Sequence, residues 1–204
     1  MSMRIGFGFD SHAFKPGVPL VIGGLKIDHP EGLAGHSDGD VLLHAITDAL
    51  LGAVSAGDIG TFFPPSDPRW KGAASSLFLR TALEEIKSAG YKIVNVDTCL
   101  VMMRPKIVPI AGELRESVAE LLGIKPGEVG IKAKTPEGLN QDSVAVAYAT
   151  VLLESIEPDA GLKTFAATAD VDDVDEVVES LVGGVRDTSA LGRKVPAFDT
   201  DDLT

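Results

Sequence analysis

Three side chains in the first quarter of the sequence are suited to binding a divalent metal ion. Asp10 and His12 are two positions apart in an extended, glycine-bearing segment, so both side chains project to the same side of the chain. His44 lies in a segment whose apolar residues recur at helical spacing, and the whole chain has only 4 histidines. Two imidazoles and one carboxylate are a common ligand set of catalytic zinc, with a fourth position left for substrate or water. The spacing therefore predicts a zinc site formed by Asp10, His12 and His44.

Each of these residues also has a purely structural interpretation. His12 alone fits an exposed loop histidine, and His44 alone fits a hydrogen-bonded histidine of the core. The joint arrangement, with glycines near each ligand, favours the metal site. Asp40 and Asp48 stand four residues before and after His44, about one helical turn away in each direction. We expect one of them to orient the His44 ring by a hydrogen bond.

Two further segments contain residue types that bind phosphate groups. His36 and Ser37 fall at a predicted helix start, where free backbone N–H groups favour an anion, although plain helix capping explains them equally well. The run KAKT at 132–135 is followed by Glu137, which combines two cations, a hydroxyl and a carboxylate. Such a group can hold phosphate oxygens and a hard cation such as Mg²⁺, and a polar turn is the alternative.

A loop predicted at 56–73 carries carboxylates held between prolines. Asp58 is followed by Ile59 and Gly60, and the run FPPSD occupies 63–67. This loop is able to bind sugar hydroxyls or to form a lid, with a polar turn again as the alternative. The sequence has neither a Walker-type phosphate loop nor a Rossmann fingerprint.

Strands alternate with helices along the chain, which predicts an α+β fold with α/β-like alternation, a single domain whose mixed β-sheet is packed by helices. The strands are predicted at 4–9, 18–25, 91–103 and 129–133. The helices are predicted from 37 or 38 to 51, at 75–89, at 110–122 and, closing the domain, at 144–156.

The composition limits the class of protein. The chain has 204 residues, 45% of them hydrophobic, which suits one compact domain, and it has no apolar run long enough to span a membrane. The net charge of −12 argues against a nucleic-acid partner, which requires a basic surface. A single cysteine and the absence of a signal-peptide pattern favour a cytoplasmic protein.

The uneven charge distribution divides the chain into two segments. Residues 157–204 contain 12 acidic and 4 basic residues, whereas 1–156 are only mildly acidic. We therefore expect the functional domain at 1–156 and an acidic, flexible C-terminal extension at 157–204. An acidic amphipathic helix at 170–182 that docks on a partner is the alternative for the extension.

The motifs of the first 156 residues occur together in one known family. The runs GFDSHAF at 8–14, HSDGD at 36–40 with His44, GDIG at 57–60, RPK at 104–106 and KAKT at 132–135 resemble the 2-C-methyl-D-erythritol 2,4-cyclodiphosphate synthases in order and spacing. The resemblance implies a homotrimer with active sites between subunits, in non-mevalonate isoprenoid biosynthesis. In the implied reaction, the 2-phosphate of 4-diphosphocytidyl-2-C-methyl-D-erythritol 2-phosphate attacks the β-phosphorus and displaces CMP.

The resemblance also implies two metal sites. Asp10, His12 and His44 would bind Zn²⁺, which polarises the β-phosphate as a Lewis acid. Glu137 would hold Mg²⁺ or Mn²⁺ with the substrate diphosphate.

The remaining implied roles concern the substrate. His36 and Thr135 would be the catalytic residues, which align and stabilise the transition state. Ser37 would contact a phosphate of the substrate. Asp58 and Gly60 would hold the methylerythritol hydroxyls, and a neighbouring subunit would contribute the cytidine pocket. The implied substrate-binding set is Asp10, His12, His36, Ser37, Asp58, Ile59, Gly60, Phe63, Pro64, Pro65, Ser66, Asp67, Met102, Met103, Arg104, Pro105, Lys106, Ile107, Val108, Lys134, Thr135, Pro136 and Glu137.

The sequence departs from the family pattern at two places. Pro136 stands where many members have threonine, but the hydroxyl of Thr135 is retained. The run NQDS at 140–143 replaces a longer Gly/Arg/Glu-containing stretch that lines a central trimer cavity in many members. We therefore expect that this chain does not bind an isoprenoid diphosphate by the usual contacts. A zinc phosphoesterase and a non-catalytic trimeric isoprenoid- or nucleotide-binding protein are the competing hypotheses.

Overall fold

The computed structural model describes residues 2–138 and 143–156. The acidic extension at 157–204, with its alternative helix at 170–182, lies outside the described residues. Most of the run at 140–143 also lies outside them.

A five-stranded mixed sheet is the framework of the domain. Its strand order is β4-β1-β7-β5-β6, and only the β5–β6 pair is parallel. The strands are β1 (Met3–Pro16), β4 (Glu31–Leu33), β5 (Tyr91–Val101), β6 (Val129–Lys134) and β7 (Val144–Ser155), and a separate hairpin is formed by β2 (Leu20–Ile22) and β3 (Leu25–Ile27). The predicted mixed sheet in an α+β domain is thus confirmed.

Helices cover one face of this sheet. The first helix packs on β1 and β7, the third on β5 and the fourth on β6. Their bounds are α1 (Val41–Ala53), α2 (Ile59–Phe62), α3 (Ser75–Ser88) and α4 (Ala111–Leu122), with 3-10 turns at Pro68–Trp70, Val108–Ile110 and Pro126–Glu128. In the described part of the chain, no helix is long and apolar enough to cross a membrane.

The predicted closing helix at 144–156 is wrong, because this segment is the central strand β7. Its length and continuous apolar character fit a helix, but a strand buried in the middle of a sheet has the same character. Every second residue is buried against the helical layer, and these residues are small or branched: Ala145, Ala147, Ala149, Val151 and Leu153. Small side chains at these positions suit the close approach of α1 to the sheet.

Several boundaries also differ from the prediction. The first strand continues beyond residue 9 to Pro16, so Asp10 and His12 lie within it. The strand predicted at 18–25 is the β2–β3 hairpin, turned at Gly23 and Gly24, both of which have positive φ. The loop predicted at 56–73 contains the short helix α2. The predicted helices near 75–89 and 110–122 and the strands near 91–103 and 129–133 are confirmed.

The contact between β1 and α1 is unusually close because it is made through glycine. A Cβ atom on Gly6 would lie 1.8 Å from the carbonyl oxygen of Ala49, and one on Gly8 would lie 1.9 Å from that of Ala45. No side chain fits at such distances, so the backbones of strand and helix touch. This contact sets the distance from His44, on α1, to the residues that follow Gly8 on β1.

Candidate active site

The side chains of Asp10, His12 and His44 converge on one point, as the sequence predicted. Oδ2 of Asp10 lies 2.8 Å from Nε2 of His12 and 2.9 Å from Nδ1 of His44. The two histidine nitrogens are 3.1 Å apart. Gly8, Asp10 and His12 are each two positions apart on β1, so all three are on the side of the strand that faces α1. His44 projects from α1 toward Asp10 and His12. One atom from each residue can thus contact a single metal ion.

This geometry fits a zinc ion. His12 Nε2 and His44 Nδ1 are 3.1 Å apart, so the two nitrogens cannot both carry a hydrogen that points at the other. If both nitrogens instead present lone pairs, they and the Asp10 carboxylate oxygen can bind the same cation. Tetrahedral zinc with bonds of about 2.05 Å separates its ligand atoms by about 3.3 Å. The three observed separations are 2.8 to 3.1 Å, so a small outward movement of the side chains would accommodate the ion.

The electrostatics of the group favour an ionised Asp10. Burial alone would raise the pKa of Asp10, but hydrogen bonds from His12 and His44, and their charge, hold it well below its usual range. Burial lowers the pKa of His12, and the hydrogen bond and charge of Asp10 outweigh this effect, so the net shift is upward. Asp10 therefore presents a negative charge to a bound cation at neutral pH.

The prediction that Asp40 or Asp48 orients the His44 ring is wrong. Asp40 is fully buried and turned toward the β2–β3 hairpin, where it accepts the N–H groups of Gly23 at 2.9 Å and Gly24 at 2.7 Å. It also caps α1 by accepting the N–H groups of the second and third helical residues. Asp48 accepts the N–H of Ile59 at 2.8 Å, at the start of α2. Both carboxylates fix backbone segments rather than the ring.

Two serines contact His44 instead. Ser37 Oγ lies 3.0 Å and Ser75 Oγ 2.8 Å from Nε2 of His44, on the side of the ring away from Asp10. Sequence reasoning missed Ser75, which is far along the chain and has no motif of its own. Its position at the predicted start of α3 is the one available signal, since helix starts often carry serine.

His36 and Ser37 do not lie at a helix start, so that interpretation of them is wrong. The helix α1 begins at Val41, with Asp40 as its cap, and His36 and Ser37 belong to the loop before it. The His36 ring is exposed, and its Nε2 lies 3.3 Å from the backbone oxygen of Asp67. His36 thus joins the metal-binding side of the domain to the loop at 63–67.

The loop at 58–67 is ordered by its own polar and aromatic contacts. Asp58 caps α2 by accepting the N–H and the hydroxyl of Thr61, both at 2.8 Å, and these bonds lower its pKa. Phe63 packs on Phe78 of α3, with ring centroids 4.3 Å apart, and edge-on against Trp70 at 5.0 Å. The exposed Asp58 carboxylate therefore sits on an anchored loop as an ionised acceptor.

The segments at 102–108 and 134–137 form a second, separate group. They line a groove of about 260 Å³ whose walls are Met102, Pro105, Lys106, Ile107, Val108, Ala133, Lys134, Thr135 and Glu137. The Thr135 hydroxyl donates a hydrogen bond to the Glu137 carboxylate. Arg104 lines a different pocket, with Phe14, His29 and Glu31.

The sheet register separates this groove from the metal-binding group. His12 on β1 pairs with Ala145 of β7, and the next residue of β7, Val146, pairs with Val101 of β5. Val101 in turn pairs with Lys134, at the end of β6. Three strand spacings therefore separate His12 from Lys134 in the wall of the groove, which is about 14 Å at about 4.8 Å per strand.

The fold and the site define a family. Residues 3–154 match the sequence model of the YgbB family, and the chain belongs to this family. Its relatives are the 2-C-methyl-D-erythritol 2,4-cyclodiphosphate synthases, as the sequence resemblance predicted. The Koribacter versatilis enzyme of that name is 65% identical over 152 residues, covering 74% of this chain and 98% of the relative. The Aquifex aeolicus enzyme is 50% identical over 153 residues, covering 75% and 98%.

Solved structures support the same assignment. A 2C-methyl-D-erythritol-2,4-cyclodiphosphate synthase in a CDP-bound form has a TM-score of 0.70 at 44% identity, covering 74% of this chain and 100% of the other. A CDP complex of IspF from Plasmodium falciparum has a TM-score of 0.67 at 33% identity, covering 76% and 98%.

Proposed function

We propose that this chain converts 4-diphosphocytidyl-2-C-methyl-D-erythritol 2-phosphate to 2-C-methyl-D-erythritol 2,4-cyclodiphosphate and CMP. The observation that carries the proposal is the convergence of Asp10, His12 and His44 within a chain of the YgbB family. In the reaction, an oxygen of the 2-phosphate forms a bond to the β-phosphorus, and the bond from that phosphorus to the bridging oxygen of CMP breaks. The nucleophile belongs to the substrate, so no protein side chain has to attack. The protein instead positions the reacting phosphates and stabilises the charge of the transition state.

The metal-binding residues would act on the diphosphate of the substrate. Asp10, His12 and His44 would hold Zn²⁺, and Glu137 would hold Mg²⁺ or Mn²⁺. When bound, these ions would supply Lewis-acid polarisation of the β-phosphate and would neutralise the diphosphate charge. Asp10 stays ionised and half-buried, which suits it to hold a dication in place. The Thr135 hydroxyl donates to the Glu137 carboxylate in this structure. With Mg²⁺ on that carboxylate, the hydroxyl would turn and donate to a phosphate oxygen of the substrate.

The loops beside the metal-binding group would orient the substrate. Ser37 lies next to His44 and would donate its hydroxyl to a phosphate oxygen. The exposed His36 ring would align the phosphates from the loop before α1. Asp58 has a lowered pKa, so its ionised carboxylate would accept hydrogen bonds from the methylerythritol hydroxyls. The loop at 63–67 would cover them.

We further propose that the active site is completed by a neighbouring subunit of a homotrimer. The metal-binding group and the wall of the groove at 134–137 lie about 14 Å apart across the sheet of one chain. The sheet face opposite the helices is also strongly apolar, and Ile5 is 72%, Phe7 64% and Phe9 47% exposed. Such a patch is typical of a surface that another subunit covers.

We assign catalysis to 1–156 and regard 157–204 as an appended acidic segment.

Replacing Phe7 with glutamate is expected to break the trimer. Three copies of a buried carboxylate near one another disfavour assembly, while Phe7 is exposed in one chain and does not support its core. Light scattering is expected to give the mass of three chains for the wild type and a smaller mass for Phe7→Glu, with CMP release lost as well. Arg80→Glu, a charge reversal at an exposed position of α3, is the control and should remain trimeric and active. A monomeric wild type, or an active trimer of Phe7→Glu, would contradict the proposal.

Replacing Thr135 with valine is expected to lower kcat by about 10²- to 10³-fold, the usual effect of losing one donor to a transition state. Valine keeps the shape of the side chain and removes only the hydroxyl. KM is expected to change little, because the contact is strongest in the transition state. Thr135→Ser restores a hydroxyl and should recover most of the rate. The measurement is steady-state CMP release, and an unchanged kcat for Thr135→Val would remove Thr135 from the catalytic set.

The nucleotide product tests the proposed function itself. Purified protein with Zn²⁺ and Mg²⁺ is incubated with the diphosphocytidyl substrate, and the products are separated by chromatography. CMP and the cyclic diphosphate are expected in equal amounts. Inorganic phosphate in place of the cyclic product would contradict the proposal, because a zinc phosphoesterase activates water instead.

A further inference from the structure

The outer nitrogen of His44 ends a chain of hydrogen bonds that begins at Asp38. Ser75 Oγ lies 2.8 Å from His44 Nε2, and the same hydroxyl is hydrogen-bonded to the Asp38 carboxylate. Ser75 is fully buried, and His44 is only 8% exposed. These contacts lie on the side of the ring opposite the metal-facing Nδ1.

The direction of each hydrogen bond follows from the groups involved. An ionised carboxylate can only accept, so the single hydrogen of the Ser75 hydroxyl is committed to Asp38. The Ser75 oxygen can therefore only accept a hydrogen bond from His44, so Nε2 of His44 is the donor in the 2.8 Å contact. A neutral imidazole that is protonated at Nε2 is unprotonated at Nδ1. In the metal-free chain a hydrogen on Nδ1 of His44 can be donated to the Asp10 carboxylate. Zinc binding would displace this hydrogen, and the neutral ring, protonated at Nε2, would then present its Nδ1 lone pair to the ion.

The Asp38 carboxylate is itself held by backbone groups. One of its oxygens accepts the N–H of Ser75 at 3.0 Å, which caps the first turn of α3 from another part of the chain. The other accepts the N–H of Asp40 at 3.2 Å. Asp38 and Ser75 are therefore fixed relative to α1 and α3, and their contact with His44 is built into the fold rather than made by mobile side chains.

We propose that Asp38 and Ser75 are positioning residues that set the tautomer and ring orientation of His44 for zinc. The inference rests on the zinc site proposed above. It adds a function for two residues that are outside both the metal-binding group and the proposed substrate-binding set. Partners of this kind raise the affinity of a histidine for its metal, and their removal typically weakens binding by about 10- to 100-fold.

Zinc affinity tests the proposal without recourse to activity. Ser75→Ala is expected to bind zinc about 10- to 100-fold more weakly than the wild type in competition with a chromophoric chelator. Ser76→Ala removes a hydroxyl from the next position of the same helix and should bind like the wild type. Asp38→Asn should also weaken binding, and the Asp38→Asn, Ser75→Ala double variant should be little weaker than Ser75→Ala alone. If the two losses of zinc affinity were additive, Asp38 and Ser75 would act independently, and the proposal that Asp38 acts on His44 through Ser75 would be wrong.

The protonation of His44 gives a second readout that needs no variant. In the zinc-loaded wild type, ¹⁵N–¹H correlation spectra are expected to show a hydrogen on Nε2 of His44 that exchanges slowly with water. A hydrogen on Nδ1 would overturn the proposal even if Ser75→Ala did not fold. If the wild type binds zinc and Ser75→Ala binds it equally tightly, the positioning role of Asp38 and Ser75 is wrong and the proposed function stands. If the wild type binds no zinc, both the zinc site and this positioning role are wrong.

Discussion

Replacing His44 with alanine is expected to remove the bound zinc and to lower kcat/KM by about 10³-fold or more. The change leaves Asp10 and His12 as the remaining ligands of the group, and a catalytic zinc site normally has three protein ligands. A Lewis acid contributes several kcal/mol to the stabilisation of a phosphoryl transition state. A loss of about 4 kcal/mol corresponds to about a 10³-fold slower reaction.

Metal content and CMP release measured on the same protein samples check this prediction. His29→Ala is a suitable control, because His29 contacts the backbone of Glu31 at the start of β4 and is not among the metal-binding residues. It should retain zinc and turnover. His44→Ala protein that still carries one zinc per chain and releases CMP at the wild-type rate would refute the metal assignment.

Replacing Gly8 with alanine is expected to lower the free energy of unfolding by about 3 kcal/mol or more, the upper end of overpacking effects. The added Cβ would lie 1.9 Å from the carbonyl oxygen of Ala45 and 2.7 Å from the backbone nitrogen of Ala49. Both atoms belong to the backbone of α1, so no side-chain movement can relieve the clash. The helix must shift away from β1, and His44 then moves away from Asp10. Weaker zinc binding should therefore accompany the loss of stability.

Urea unfolding and zinc titration measure the two effects. Gly112→Ala is the matched control, since a Cβ at Gly112 meets nothing within 4 Å and the residue lies in the first turn of α4. Alanine there should leave zinc binding unchanged and stabilise the helix by up to about 1 kcal/mol. If Gly8→Ala proved as stable as the wild type and bound zinc normally, the strand–helix contact would not be what sets the metal-binding geometry.

The sequence is sufficient to predict the metal-binding group because its spacing has a direct geometric meaning. Residues two apart on a strand share a side, which is why Asp10 and His12 are predicted to lie together from their positions alone. His44 on the next helix completes the group because Gly6 and Gly8 let that helix touch the strand. The roles that the resemblance assigns to His36, Thr135 and the loop residues stay predictions until variants are measured.

Contacts between distant segments cannot be predicted from local sequence patterns. Ser75 meets His44 because α3 packs beside α1, and no local pattern encodes that contact. Asp40 has the right spacing to touch His44, but the β2–β3 hairpin takes its carboxylate. The strand β7 resembles a helix in sequence because a strand covered by neighbours on both edges and packed against a helix loses the polar alternation that marks an exposed one.

The fate of water oxygen during turnover tests the central claim most directly. The reaction is run with Zn²⁺ and Mg²⁺ in water enriched in the heavy oxygen isotope, and the products are analysed by mass spectrometry. Because an oxygen of the substrate's own 2-phosphate is the nucleophile, CMP and the cyclic diphosphate are both expected to form without the heavy isotope. Heavy oxygen in a phosphate-containing product would show that water attacks the β-phosphorus, and the chain would then be a hydrolase rather than a cyclising enzyme.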